Sequence, residues 1–300
     1  MKRWKVRSGV STDGGSGFLV FTDLDGTLLD HDTYRWDEAE PALALCAKHR
    51  VPVILVSSKT RAEMNVLRRE LGLASPFISE NGGGIFFPRE SIVKPPAEAY
   101  LDDDLWKWSL GFSYRDVVAA LQEIREELAW DIRGFSDMTV TEISRLTGLE
   151  PERARLAAMR EYDEPFVAAG PRRSEMDALI QAASRRGLQV TEGGRFHHLH
   201  GACDKGVAVD KLVRWHEQSG GPVKTIALGD SPNDFAMLRR VDYPVLVRSF
   251  REYPGLEKTL RHLRITREKG PAGWNDAVTA FLTGKWNGGD KTNVSARSEP

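Results

Sequence analysis

Cysteine is scarce in this chain: only Cys46 and Cys203 occur, too far apart to form a redox or metal-binding spacing. No disulfide framework can be built from them, which fits a reducing compartment, and both are expected as small buried apolar residues. No apolar run approaches the length that spans a bilayer, and the basic start MKRWKVRSGVSTDGGSG has no apolar stretch behind its charges. Neither a membrane span nor a secretory signal is expected, and the expected location is the cytoplasm. Charge of one sign is missing too, since 42 Lys and Arg face 43 Asp and Glu, a formal net charge of -1. That balance offers no global field to nucleic acid or anionic lipid, so neither is expected as a partner, and an anionic substrate must be caught locally. No phosphate-cradling GxxxxGK(S/T) loop occurs, because Gly221-Pro222-Val223-Lys224-Thr225 lacks the glycine before its lysine. No internal repeat is apparent.

A chain of 300 residues exceeds the usual size of one hydrophobic core, so two domains or one domain with a large insertion is expected. Residues 1–16 and 287–300 are polar and aperiodic and read as disordered ends, which leaves the sequon Asn293-Val294-Ser295 as a chance match. Between them, strand and helix patterns alternate. A strand at 18–23, a helix near 36–49, a strand at 52–57, a helix near 60–71 and the apolar piece 76–78 make a βαβαβ layout. The alternation resumes with a helix near 205–217, a strand at 223–228, a helix near 232–239, a strand at 243–247 and a last helix near 272–283. The expected fold class is α/β, a Rossmann-like parallel sheet built from 17–83 and 200–286, interrupted by an α+β insert at 84–199. Helices are expected in the insert near 114–128, 139–147, 150–161 and 174–186, with strands at 106–110 and 188–191. Glycines 82 to 84 on one side and 193, 194 and 201 on the other suit hinges or tight turns. Trp106 and Trp108, at strand spacing, are expected in the core of the insert rather than as a platform for a sugar.

Two acidic clusters stand at expected strand ends, where open parallel sheets bind ligands. Asp23-Leu24-Asp25-Gly26-Thr27 follows the apolar run 18–21, and an i, i+2 pair on extended chain can face one pocket. Gly229-Asp230-Ser231-Pro232-Asn233-Asp234 follows Thr225 to Leu228. Helix capping needs one polar side chain there, with Pro232 suited to the first turn. The surplus of Asp230, Asn233 and Asp234 points to a divalent metal. A third strand ends in Ser57-Ser58-Lys59-Thr60, where a hydroxyl can donate to a phosphoryl oxygen or simply cap a helix. Lys205 opens a helix and can set a point charge against phosphate, although alone it reads as a solvated lysine. His197, His198 and His200 include an HxH pair, but no third ligand stands at zinc-like spacing. The DxDG start is not a calcium loop, since Leu28 stands where glycine is needed and Tyr34 where an acid is needed.

In this order, DLDGT, Ser57, Lys205 and GDSPND resemble the haloacid dehalogenase superfamily of phosphotransferases. The resemblance implies that Asp23 is the nucleophile, Asp25 the general acid and base, and Ser57 and Lys205 the phosphate holders. It also implies a Mg²⁺ held by Asp23, the Asp25 main-chain carbonyl and Asp230, with Asn233 and Asp234 supporting. Such a division of roles is chemically sensible: a carboxylate nucleophile needs the phosphate charge neutralised, and an aspartyl-phosphate splits one hard displacement into two easier ones.

The insert resembles the Cof-type cap of that superfamily, which closes over the site and selects the substrate. Longer stretches are similar to the mannosyl-3-phosphoglycerate phosphatase family: Ser58-Lys59-Thr60-Arg61 with Glu63, Ile78 to Gly83, Trp106-Lys107 with Leu110-Gly111 and Tyr114, Thr147-Gly148-Leu149, Arg160-Glu161-Tyr162 with Glu164-Pro165-Phe166, and Gly194 to Leu199. This resemblance implies a small sugar-phosphate substrate, 2-O-mannosyl-3-phosphoglycerate, hydrolysed to mannosylglycerate and phosphate. Ser58 and Lys59 are expected at the substrate. Lys59, Arg61 or Arg195 can pair with its carboxylate, and Glu80, Asn81 and His197 can bond its glyceryl or sugar oxygens. The plain alternatives are surface charge for Arg61 with Glu63, a turn for Glu80-Asn81-Gly82 and a strand-edge cation for Arg195. Other readings of the chain are a phosphatase for glucosyl-3-phosphoglycerate or sucrose phosphate, a phosphomutase, or a non-catalytic binding protein of the same fold. Oligomeric state is not legible.

Overall fold

The structure is a computed structural model that describes residues 17–92, 94–168, 173–193 and 196–286. Both termini expected to be disordered, and Arg195, lie outside the described residues. Its larger sheet has nine strands: β1 Phe18–Thr22, β2 Val53–Val56, β3 Phe77–Ser79, β4 Gly84–Pro88, β5 Tyr100–Asp102, β6 Leu105–Ser109, then, after the insert, the three numbered last in the chain. A second, four-stranded sheet is formed by β7 Ile132–Gly134, β8 Asp163–Ala168, β9 Leu188–Gly193 and β10 Phe196–Gly201. The remaining strands of the larger sheet are β11 Lys224–Gly229, β12 Tyr243–Arg248 and β13 Arg264–Lys269, and its spatial order is β13-β12-β11-β1-β2-β3-β4-β6-β5. From β13 to β3 the strands are parallel, and from β3 to β5 antiparallel.

Helices cover both faces of the parallel part, which is why β1 and β2 read as continuous apolar runs. On one face, Val20, Leu55, Ile226 and Val245 pack against Ala42 and Cys46 of α1 (Glu40–Lys48), Met64 and Leu67 of α2 (Arg61–Glu70) and Trp274 of the C-terminal helix Gly270–Leu282. On the other, Leu19, Phe21, Ile54 and Ala227 meet the helices Lys205–Gly220, Phe235–Leu238 and Leu256–Thr259. The second sheet carries its own core. Val117, Leu121 and Ile124 of α3 (Tyr114–Leu128) and Leu179, Ala182 and Ala183 of the helix Arg173–Arg185 pack on Ile132, Phe166 and Leu199. Two short helices, α4 Val140–Thr147 and α5 Pro151–Ala157, close a smaller cluster with Phe135. The helices named above by range are α6 Arg173–Arg185, α7 Lys205–Gly220, α8 Phe235–Leu238, α9 Leu256–Thr259 and α10 Gly270–Leu282. Among the described residues no helix is long and apolar enough to cross a membrane.

The expected start of the insert at 84 is corrected by this pairing. Gly84 to Pro88 runs antiparallel to β3 and pairs with β6, so 84–109 extends the larger sheet, and the second sheet begins only beyond Gly111. Trp108 is accordingly 8% exposed in the core of the larger sheet, against α7, and not in the insert, with Lys211 Nζ 5.3 Å from its ring centre. The helix expected over 150–161 stops at Ala157. Residues 160–163 turn away to meet a carboxylate from the larger sheet.

Candidate active site

Register puts the key loops side by side. Thr22 pairs with Leu228 on one side and Leu55 on the other, so β1, β11 and β2 end together and release Asp23, Asp230 and Ser57 at one edge. The Asp23 amide donates to the Leu228 carbonyl at 2.9 Å, fixing the first loop on the second. Behind Asp23, Trp274 Nε1 donates to Thr22 Oγ1 (2.9 Å), whose hydroxyl donates to the Asp23 carbonyl (2.7 Å). Nothing in the sequence marks Trp274 for this task, because its partner is 252 residues away.

Asp23, Asp230 and Asp234 bring carboxylate oxygens within 4.8 Å of one another, the kind of cluster that can hold a metal ion. Against these three anions stands one ammonium. Lys205, 1% exposed, places Nζ 2.6 Å from Asp23 Oδ1 and 2.7 Å from Asp234 Oδ1. The charge deficit is visible in the acidities. Burial, then Asp234, hold the Asp23 carboxyl well above its usual range, although Lys205 pulls the other way. Burial and Asp234 likewise push Asp230 up to about 7. Burial opposes the Lys205 charge, but Asp23 and Asp234 outweigh it and hold the ammonium above its ordinary value. A glycine is needed at 26, where φ is +78° and a Cβ would come 2.9 Å from Asp230 Oδ2.

Asp234 is also spoken for on its other oxygen. Its Oδ2 accepts the amides of Asp230 and Ser231, both at 3.1 Å, and the Ser231 hydroxyl, so it shapes the loop that aims Asp230. Asn233 Oδ1 accepts the Ser231 hydroxyl at 2.5 Å and braces the same turn. Asp25 leaves the cluster to meet Lys59, with Oδ2 2.7 Å from Nζ, while its Oδ1 is buried without a hydrogen-bond partner among the described residues. Burial opposes the Lys59 charge, yet Asp25 and Glu63 hold it above the ordinary lysine range. The ammonium also lies 5.5 Å from the Tyr34 ring centre. Ser57 Oγ accepts the Lys59 amide at 3.3 Å, which leaves its own proton free to donate. The helix cap foreseen in this loop is Thr60, boxed with Glu63.

Several residues expected at a substrate are bonded across to the insert. The Glu80 carboxylate, 1% exposed, accepts the amides of Glu161, Tyr162 and Asp163 at 2.8–3.1 Å. Burial pushes this carboxyl up to about 7 despite Arg160 nearby. Asn81 Nδ2 donates to Asp163 Oδ2 (3.1 Å), and the Ser58 carbonyl accepts Arg160 Nη1 (3.2 Å). Asp163 also forms an ion pair with Arg160, Nη2 lying 3.2 Å from Oδ2, and bonds His198 Nδ1 (2.9 Å); burial opposes its charge, but His198 and Arg160 hold it below the usual carboxylate range. Arg61 is paired with Asp102 (2.9 Å) and Glu161 (2.5 Å), not with Glu63 as a surface charge, since Glu63 caps the helix with Thr60. His197 lies on β10 with its ring 5.5 Å from that of Phe166. His200 bonds the Gly201 carbonyl and Thr191, so the histidines do not assemble a metal site among the described residues.

Fold and site define a parallel-sheet enzyme with an acid-rich, lysine-balanced centre at its strand ends. Residues 20–107 and 173–253 match the family described as haloacid dehalogenase-like hydrolase. A protein of Methanococcoides burtonii named glucosyl-3-phosphoglycerate/mannosyl-3-phosphoglycerate phosphatase is 41% identical over 266 residues, covering 88% of this chain and 97% of that one. A protein of the same name from Persephonella marina is 37% identical over 275 residues, with the same shares covered. Among solved structures, one from Thermoplasma acidophilum matches at a TM-score of 0.62 with 19% identity, covering 88% of this chain and 97% of that one. A haloacid dehalogenase-like hydrolase from Bacteroides thetaiotaomicron matches at 0.62 with 16% identity, covering 88% and 98%. Those two likenesses speak for the fold. The chain belongs to the haloacid dehalogenase-like hydrolases, and it is a phosphoric monoester hydrolase.

Proposed function

We propose that this chain is a Mg²⁺-dependent phosphatase that hydrolyses 2-O-mannosyl-3-phosphoglycerate through an aspartyl-phosphate at Asp23. The observation that carries the reading is the contact of Asp23 with a fully buried Lys205, beside Asp230 and two residues from Asp25 in the same loop. Three close carboxylates against one ammonium, two of them holding their protons above the usual carboxylate range, fit a divalent cation that would complete the charge balance. Asp23, Asp230 and the Asp25 main-chain carbonyl would hold it, and when bound it supplies neutralisation of the phosphoryl oxygens.

Lys205 and the free Ser57 proton hold the phosphate in line with Asp23 Oδ2, the oxygen that Lys205 leaves available. Asp23 attacks phosphorus, and the leaving alkoxide takes a proton from Asp25, whose unpartnered Oδ1 is the natural place for that hydroxyl. Asp25 then draws a proton from the water that cleaves the acyl phosphate. Lys59, with Nζ 2.7 Å from Asp25 Oδ2, would pair with the carboxylate of the departing mannosylglycerate. The mannosyl assignment rests on the resemblance of the insert. The relatives named above carry both sugars in their names, so the glucosyl epimer is the nearest alternative.

Phosphate release from mannosyl-3-phosphoglycerate, glucosyl-3-phosphoglycerate, 3-phosphoglycerate and sucrose phosphate tests the proposal. Highest kcat/KM on the mannosyl compound, abolished by EDTA, is expected. Preference for another member would overturn the substrate, and release that persists in EDTA would overturn the metal.

The acidities add a pH dependence. With Asp230 near 7 and Asp23 also raised, protons occupy the site as pH falls and must be displaced by the ion. The Mg²⁺ concentration for half-maximal activity is therefore expected to rise from pH 8 to pH 6, by about tenfold in all for the Asp230 proton, most of it below pH 7. A Mg²⁺ requirement flat across this range would show that these carboxylates are not the ligands.

A further inference from the structure

Three successive residues at the end of β3 hold the left-handed backbone region: Glu80 at φ 48°, Asn81 at 55° and Gly82 at 100°. Glu80 carries a side chain that disfavours it, and such strain persists only where the surroundings over-determine it. Here the surroundings are the active-site loops on one side and the insert on the other. The Glu80 amide donates to the Lys59 carbonyl and the Asn81 amide to the Ser57 carbonyl, both at 3.1 Å. Gly82 lies against the start of α7, where a Cβ would come 2.3 Å from the Asp204 carbonyl oxygen and 3.1 Å from the Lys205 nitrogen. This one turn therefore touches the segments that carry Ser57, Lys59 and Lys205.

From the other side, the Glu80 carboxylate gathers the three amides of 161–163, with Arg160 Nε 3.6 Å away, and Asn81 bonds Asp163. The Thr60 hydroxyl donates to the Leu156 carbonyl at 2.8 Å, so the insert is also bonded to the loop after β2. The chain enters the insert at the same place, since the Leu110 and Gly111 amides both donate to the Gly83 carbonyl at 2.9 Å. The Glu80 side chain joins the backbone of 161–163 to a turn in contact with both phosphate-holding segments.

We propose that Glu80 is a positioning residue for phosphoryl transfer: its carboxylate locks the insert onto the 80–82 turn, and through that turn sets the placement of Ser57 and Lys205. The proposal rests on the reading of those two residues as phosphate holders. It also gives the insert a task at the reacting phosphate that is separate from substrate choice.

The test compares wild type, Glu80→Gln and Glu80→Asp on the glycosyl substrate and on 4-nitrophenyl phosphate. Glu80→Gln turns one acceptor oxygen into an NH₂ facing amide donors, and is expected to lower kcat about 10- to 100-fold on both substrates with KM little changed, since small misplacement costs rate of that order. Glu80→Asp, which keeps the charge, is expected to recover part of that loss. A KM increase confined to the glycosyl substrate would make Glu80 a sugar contact and overturn the proposal, as would a lowered Tm with kcat intact. Amide hydrogen exchange supplies a readout independent of turnover. Faster exchange at 57–59 and 204–206 in Glu80→Gln, with α10 unchanged, is expected, whereas faster exchange confined to 161–163 would overturn the coupling. A wild type that cleaves no phosphate ester would instead end the functional reading, and exchange would still decide the coupling.

Discussion

Asp23→Asn is expected to cut turnover by about 10⁴-fold or more, because an amide cannot form the acyl phosphate and removing a nucleophile costs rates of this order. The same substitution is not expected to destabilise the protein in EDTA. A carboxyl whose folded value is raised costs stability once pH climbs above its unfolded value near 3.8, and the cost is complete above the folded value. Ionised Asp23 carries this cost, and a neutral amide of the same shape relieves it, with Lys205 still paired to Asp234. Activity and Tm should therefore move independently: turnover lost, Tm in EDTA unchanged or higher. A large drop in Tm would mean that the lost activity reports unfolding and would remove the support for a nucleophile.

Lys205→Met is expected to do both kinds of damage. Methionine keeps much of the volume but leaves Asp23 and Asp234 buried without their shared cation, and stranding a buried charge costs about 3–5 kcal/mol. At about 2–4 °C per kcal/mol for a chain this large, Tm in EDTA should fall by on the order of 10 °C. Added Mg²⁺ should return part of that loss, since a cation among Asp23, Asp230 and Asp234 supplies charge the variant lacks. Turnover should fall with it, because the phosphate loses its fixed positive partner. Thermal unfolding at matched ionic strength, with EDTA and with Mg²⁺, reads both effects. A Tm within a degree or two of wild type in EDTA would show that Lys205 does not balance these carboxylates.

What was legible in the sequence was what local signals can carry. Apolar runs at 18–21 and 53–56 mark strands covered on both faces, and polar residues that stop such runs mark the ligand edge of a parallel sheet. Asp23, Ser57 and Asp230 fell into place because they terminate adjacent strands, and Lys205 because it opens the next crossover helix. The extent of the insert was hidden, since Pro95-Pro96 marks a loop between Gly84–Pro88 and Leu105–Ser109 but does not say that the strands on either side of it pair with each other. Strand β8 begins Asp163-Glu164-Pro165, a polar start that period-2 reasoning passes over. The polar partners were further out of reach. Lys59 with Asp25, Glu80 with the amides of 161–163 and Trp274 with Thr22 join residues 34 to 252 positions apart through tertiary packing alone. Lys59 was noticed for its charge, but the partner that gives the charge its meaning became visible only once β1 and β2 lay side by side.

The central claim, a covalent phosphoenzyme at Asp23, is tested most directly by trapping it. In Asp25→Asn, an aryl phosphate with a good leaving group can still phosphorylate the enzyme without a proton donor, while the base for the second step is missing, so the intermediate should accumulate. Acid quench, borohydride reduction and peptide mass spectrometry are expected to find homoserine in place of aspartate at position 23, only in samples given substrate and Mg²⁺. An unmodified Asp23 in samples that are releasing aryl alcohol, or the label on another residue, would contradict the account.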